Sequence, residues 1–320
     1  MQRAAWLKQA LAAGNEFHYL KQTPWKHNLR NAVALTVVLT AYVGVLALGA
    51  YFPTWLYVPV GALLLGSLLF GLFVLVIHEC SHSMFVLLKD RERSKSLNHA
   101  IGRFAGDLLF TDYMQHWARE HTVHHLQPTE DVDRQDLLRF SGKALFIKYL
   151  QCLIPGAALK NNPSRQYGFS IRRTLIGLVF HGTIAAVAIS LVHWHTGLVI
   201  LFGWNVTSAL TMTKVAQEHG SGLATEQDPY LRSRTYFYPS QKLTSPFNIH
   251  YHFEHHANFN VPWYRLPAYH AKVLELMPEP LYPYYLTRGS KEFVQQLSGQ
   301  RDLPPAELEP LLRGGEDATA

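Results

Sequence analysis

From Tyr57 to Ile77 the chain runs twenty-one residues without a charge, then passes directly into His78-Glu79-Cys80-Ser81-His82. A helix of about 20 apolar residues spans the ~30 Å hydrocarbon core of a bilayer. Three further runs have similar character: Ala32–Tyr51, interrupted by Thr36 and Thr40; Thr174–Val192, which contains His181; and Leu198–Val215, which carries Asn205 and Lys214. Charged residues are only 16% of the 320, against roughly 25% in soluble domains. The expected fold is all-α, with four transmembrane helices in two hairpins and a cytoplasmic helical cap.

Basic residues orient the hairpins. The connections Phe52–Leu56 and His193–Gly197 hold no Lys or Arg, so all 29 lie before the first run, in the central segment, or from Lys214 onward. The positive-inside rule then predicts that both termini and the central segment are cytoplasmic. Pro53, Trp55, Tyr57 and Trp194 suit the far interface, where aromatic rings anchor. A formal charge of +6 fits nucleic acid or an anionic membrane surface, and the apolar runs select the membrane; no nucleic-acid partner is expected. Cys80 and Cys152 form no zinc-type pair and are too few for a disulfide framework.

Three segments are expected. Residues 1–30 read as an interfacial amphipathic helix without a signal peptide, because Arg3, Lys8 and Glu16 precede any long apolar run. Residues 31–275 form the membrane domain, in which Leu145–Ala158, with Lys143, Lys148 and Lys160 around it, lies flat in the interface. Residues 276–320 form a cytoplasmic segment whose last twenty residues, with Pro304, Pro305, Gly314 and Gly315, read as a disordered tail.

Histidine carries the chemistry. In His78-x-x-x-His82 the spacing places both rings on one helical face, one turn apart. His121-x-x-His124-His125 and His252-x-x-His255-His256 repeat the arrangement at offsets of three and four. His219 follows the fourth run, and Gly220 after it is a natural helix stop. One such pair on a helix is weak evidence for metal. Three clusters, each assigned to one membrane side by an independent charge argument, are strong evidence. Imidazole suits Zn, Cu, Fe or Ni, so ligand type leaves the metal open. Nine histidines exceed the three or four that one zinc ion takes, and two ions fit the number better.

These three boxes, in this order among four spans, resemble those of membrane fatty acid desaturases and related hydroxylases. The run Asn248-Ile-His250-Tyr-His252-Phe-Glu-His255-His256, followed by Val261-Pro262 and Leu266-Pro267, is similar to the bacterial branch. The resemblance covers about residues 30–275 and implies two Fe ions held by His78, His82, His121, His124, His125, His252, His255 and His256, with His219 in the place of one further ligand. It also implies O₂ as co-substrate, a lipid acyl chain as substrate, and a bacterial inner membrane. No fused redox module is visible, so a separate ferredoxin or cytochrome-type donor is expected. The activity it implies is insertion of a C=C bond; a hydroxylase or ketolase would use the same ligands. A non-catalytic metal carrier is the remote alternative, and it would place ionisable ligands inside the spans.

The other histidines have weaker claims. His116 and His250 lie beside boxes, as supports or as polar surface. His181, His193 and His195 are expected toward the outer side; His18, His27, His99 and His270 carry no signal. Glu79, Glu120, Glu218 and Glu254 adjoin ligands, but helical neighbours point about 100° apart. They are candidates for orienting rings from other helices, as are Asp107, Asp112, Asp131, Asp133 and Asn248, with a solvated surface or helix cap the plain alternative.

Overall fold

A computed structural model describes residues 3–19, 23–130, 132–133, 142–154, 170–238, 241–297 and 303–313. Four helices in it are long and apolar enough to cross a membrane: Pro24–Ala50, Thr54–Ser81, Ile171–Leu191 and His195–His219. The chain divides into two compact units, one of residues 20–122 and 146–213, the other of residues 1–19, 123–145 and 214–320.

The first unit holds the spans. Span one begins at Pro24, eight residues before the apolar run, because Pro fits a first helical turn and His27 and Asn31 find partners. The His27 ring donates to the Met84 carbonyl (2.5 Å), and the Asn31 amide donates to the carbonyls of Met84 and Phe85 (3.2 and 2.8 Å). At the opposite end, His195 closes the loops. It donates through Nε2 to the Gly49 carbonyl (2.8 Å) and accepts the Thr54 hydroxyl at Nδ1 (2.9 Å). Spans two and four touch through glycine: the Thr207 hydroxyl lies 3.0 Å from the carbonyls of both Gly66 and Gly203. Small residues let membrane helices approach this closely.

Two departures from α-helix frame the histidines of this unit. Phe73–His78 and Tyr113–Glu120 are π-helical, a local widening common at functional sites. Between them runs a helix, Arg91–Leu108, capped by Asp90, whose carboxylate accepts the Arg93 N–H. His181, expected toward the outer side, instead donates to the Leu108 carbonyl (3.0 Å) in the segment between boxes one and two.

The second unit is built on a core of Trp6, Leu7, Ala10, Phe253, Tyr269 and Tyr285, among others. Leu7 and Tyr285 are completely buried, and each such side chain contributes about 1.5–3 kcal/mol. The predicted amphipathic helix is present at Ala5–Ala13, but its apolar side meets this core rather than lipid; the Tyr269 hydroxyl donates to the Ala10 carbonyl (2.9 Å). The expected disorder from residue 301 does not hold for residues 303–313. Leu312 is buried, and the Trp6 indole donates to the Leu311 carbonyl (2.7 Å). Gly314 and Gly315, like Asp131, Lys160 and residues 155–158 of the predicted interfacial stretch, lie outside the described residues. A parallel strand pair, Thr235–Phe237 with Leu286–Arg288, is the sheet among them.

Candidate metal centre

In the span-bearing unit, His78 and His82 close the second span and His121 follows the second π-helical turn. Their ring centroids lie 4.7 Å (His78–His82), 5.0 Å (His78–His121) and 5.0 Å (His82–His121) apart. His78 and His121 are buried and His82 is half-buried. Trp117 packs edge-on against His78 and tilted against His121, held by a hydrogen bond from its indole to the Thr111 hydroxyl (2.9 Å). Glu79 Oε1 lies 3.4 Å from Nδ1 of His78, so this carboxylate reaches its own neighbour rather than a ring from another helix. The π-helical turn ending at His78 departs from the regular α-helical angle on which that expectation rested.

The other unit gathers His124, His219, His252 and His256, all buried, with a ligand nitrogen from each within 4.8 Å of the rest. Two of these rings, His124 and His219, are hydrogen-bonded from behind, and a carboxylate lies near the third. Nδ1 of His124 meets Asp133 Oδ2 at 2.7 Å, Nδ1 of His219 meets the Arg232 carbonyl at 2.8 Å, and Nδ1 of His252 lies 3.3 Å from Glu218 Oε1. Carbonyl and carboxylate oxygens only accept, so Nδ1 of His124 and of His219 carries the proton and Nε2 of each keeps its lone pair. Metal-ligating histidines are oriented in this way. Nε2 of His219 and Nε2 of His252 face each other across 2.8 Å. At that distance either one ring donates to the other or a cation lies beside both, and the set of buried imidazoles fits a metal ion of the imidazole-binding class. Burial, and then the nearby Lys214 ammonium, hold His252 well below the usual imidazole range, in the neutral form a metal requires. In the same unit His125 and His255 face each other, Nε2 to Nε2, at 3.1 Å.

The supports have their own supports. Arg232 presents its carbonyl because its guanidinium is fixed by the Pro128 carbonyl (2.9 Å), Glu130 (2.5 Å) and the Glu226 carbonyl (2.5 Å). Glu218 is held by Lys214 at 2.5 Å. Glu254, inside the third box, faces away from its histidines: it accepts the Thr235 hydroxyl and the His270 Nδ1–H (2.6 Å). It thereby clamps the box-three helix His252–Ala257 to the strand Thr235–Phe237 and to the helix Leu266–Leu276. Gly220 does end the fourth span, though not through a left-handed turn. A Cβ there would sit 2.2 Å from the Ala216 carbonyl oxygen.

The remaining candidates have other contacts. Glu120 accepts the Gln115 amide (3.3 Å), while Asp107 and Asp112 pair with Arg172 (2.6 Å) and Arg173 (2.5 Å). Asn248, at φ 58°, donates to the Trp263 carbonyl (3.0 Å). His116 is buried against Trp117, and His250 meets Gln241 at 3.3 Å. Two supports had no sequence signal: the Arg232 carbonyl, since any residue has one, and His270, fourteen residues beyond the third box.

Four apolar spans and two buried histidine groups define a membrane protein with a candidate metal centre. Residues 53–288 match the fatty acid desaturase family, and the chain belongs to it. A curated relative, the sn-1 acyl-lipid omega-3 desaturase (ferredoxin) of Synechocystis sp., is 29% identical over 134 residues. That match covers 38% of this chain and 35% of the relative's length.

Proposed function

We propose that the chain is an O₂-dependent acyl-chain desaturase that inserts a C=C bond into a lipid acyl chain. In this reading His78, His82, His121, His124, His125, His219, His252, His255 and His256 supply the ligands of two iron ions. The observation that carries it is the buried group His124, His219, His252 and His256, with the His124 and His219 rings hydrogen-bonded at Nδ1. Iron, when bound, supplies the O₂ activation and the oxidising power that removing two hydrogens from neighbouring methylenes requires. The protein's share is placement. Asp133 and the Arg232 carbonyl hold the Nδ1 protons of His124 and His219 and keep the ligand tautomer; the buried walls keep water away. Electrons come from a separate donor, and the ferredoxin named with the Synechocystis relative supports a ferredoxin-type partner. In this reading both termini lie on the cytoplasmic face of a bacterial inner membrane, and the distribution of Lys and Arg supports that orientation.

The test is expression in a host of known lipid composition, with fatty acid profiling and iron analysis of the purified protein. A product lacking two hydrogens supports desaturation. A product gaining one oxygen atom would assign hydroxylation, and an unchanged profile from an iron-loaded protein with a working donor would rule out bulk acyl chains.

A further inference from the structure

We propose that the helix Arg91–Leu108 is a membrane-interface helix that binds anionic lipid, its Leu97–Phe104 side in the acyl region and its N-terminal cations on headgroup phosphates. The polarity of this helix is inverted relative to an ordinary surface helix. Its protein-facing side is the small and polar series Ser94, Asn98, Gly102 and Gly106, all buried. Gly102 permits that contact, since a Cβ there would meet the Tyr113 ring at 2.2 Å. The outward side carries Leu97 and Phe104, 39% and 68% exposed. A surface helix normally turns its apolar stripe inward, so this stripe needs an apolar environment outside the protein.

Hydrogen bonds at both ends fix where the helix lies. At its start, Asn98 Oδ1 accepts the N–H groups of Phe85 and Val86, both at 3.1 Å. Leu87 beside them exchanges hydrogen bonds with Asn28, in the first turns of span one (2.9 and 2.8 Å). At its end, Asp107 pairs with Arg172 at 2.6 Å and the Leu108 carbonyl accepts from His181 of span three. Eighteen residues reach roughly 27 Å. The helix therefore crosses from the start of span one to span three, along the end of the bundle where His78 and His82 lie. Its C-terminal end lies deeper: Phe110 stacks on His181, ten residues into span three, at 5.5 Å.

Composition follows that tilt. Lys89, Arg91, Arg93 and Lys95, all exposed, gather at the shallow end against Asp90 and Glu92, and Phe104 lies toward the deep end beside one further exposed cation, Arg103, whose long side chain can reach back to headgroup level. A helix with cations at the headgroup level and aromatic and aliphatic side chains below it matches an anionic lipid surface. The helix packs on span three, whose Leu175 and Val179 are themselves exposed, so the same lipid reaches both. The inference rests on the membrane character of the spans and not on which substrate is oxidised.

The test uses single spin labels on the full chain in lipid nanodiscs. Cys80 and Cys152 are buried, so labels report the introduced sites. Labels at Leu97→Cys and Phe104→Cys should be relaxed by O₂ and protected from an aqueous nickel chelate, while Glu92→Cys and Ser96→Cys should show the reverse. Nickel access at Phe104→Cys, or shielding from both reagents as under a covering protein, overturns the proposal. With Lys89, Arg91, Arg93 and Lys95 all changed to Gln, phosphatidylglycerol retained from a mixed bilayer should fall roughly fivefold or more. Equal retention, in a variant that keeps its metal and its monodisperse profile, overturns the headgroup part.

Discussion

Nδ1 of His124 lies 2.7 Å from Oδ2 of Asp133, and the same oxygen accepts the Thr129 N–H at 2.9 Å. Thr129 has a φ of 66°, a conformation a β-branched residue rarely adopts, and that turn brings Asp133 back to the ring. Loss of such an anchor commonly lowers metal affinity by about 10–100-fold. Asp133→Ala should show that loss in chelator competition, and Asp133→Asn, which keeps an acceptor but not the charge, should fall between. Unchanged affinity in the alanine variant would remove Asp133 from the centre.

His219 has no neighbouring histidine in sequence, so its role rests on geometry. His219→Ala should lose iron, from about two ions per chain toward one, and product formation should drop to background. His193→Ala, an exposed histidine at the far loop, should keep both. Full iron content in the His219 variant would count against the ligand assignment.

The spans and three boxes were legible because long uncharged runs and offsets of three and four residues are properties of the sequence itself. Features made by tertiary contact were not. Trp6 and Leu7 look like membrane-facing residues until Tyr269 and its neighbours supply an alternative core. Leu311 and Leu312 sit in a Pro-rich stretch with no periodicity, yet Trp6 holds them. The π-helical turn before His78 also left no mark in the pattern, and beside it Glu79 Oε1 comes within 3.4 Å of the neighbouring His78 ring. His181 was misplaced because its depth depends on how far the Leu108–Phe110 segment enters span three.

Glu254 is fully buried and joined to Thr235 and His270. Glu254→Gln cannot accept from both partners in the same way and leaves a buried polar group poorly matched, which should cost about 1–3 kcal/mol. Thermal unfolding of the detergent-solubilised protein would measure it. Thr235→Ala in the Glu254→Gln background should add less than it does alone, because the two share one interaction.

Burial pushes His250 down to about 4, and it holds His252 well below the ordinary 6.5. Between those values the unfolded chain binds more protons than the folded one, so stability rises with pH. The metal-free protein should keep this contribution above about pH 6.5 and lose it as pH falls below. For His250 the loss is on the order of 2–3 kcal/mol by pH 4. His250→Gln should flatten the acid limb of the melting-temperature profile; an unaltered limb would show that His250 does not titrate there.

Gly66 tests whether the contact between spans two and four is as close as the structure has it. A Cβ at this position would lie 2.5 Å from Val206 Cβ and 2.7 Å from the Gly203 carbonyl oxygen. The second of these is backbone and cannot rotate away, so Gly66→Ala must push the helices apart. Such overpacking costs typically about 1–3 kcal/mol, and it would also stretch the Thr207–Gly66 hydrogen bond between the spans. Gly44→Ala is the control, because nothing lies within 4 Å of a Cβ there. Span two continues into His78 and His82, so Gly66→Leu should reduce metal content as well as stability. If Gly66→Ala melted with the parent protein, the spans would have to sit farther apart than the Thr207–Gly66 bond allows.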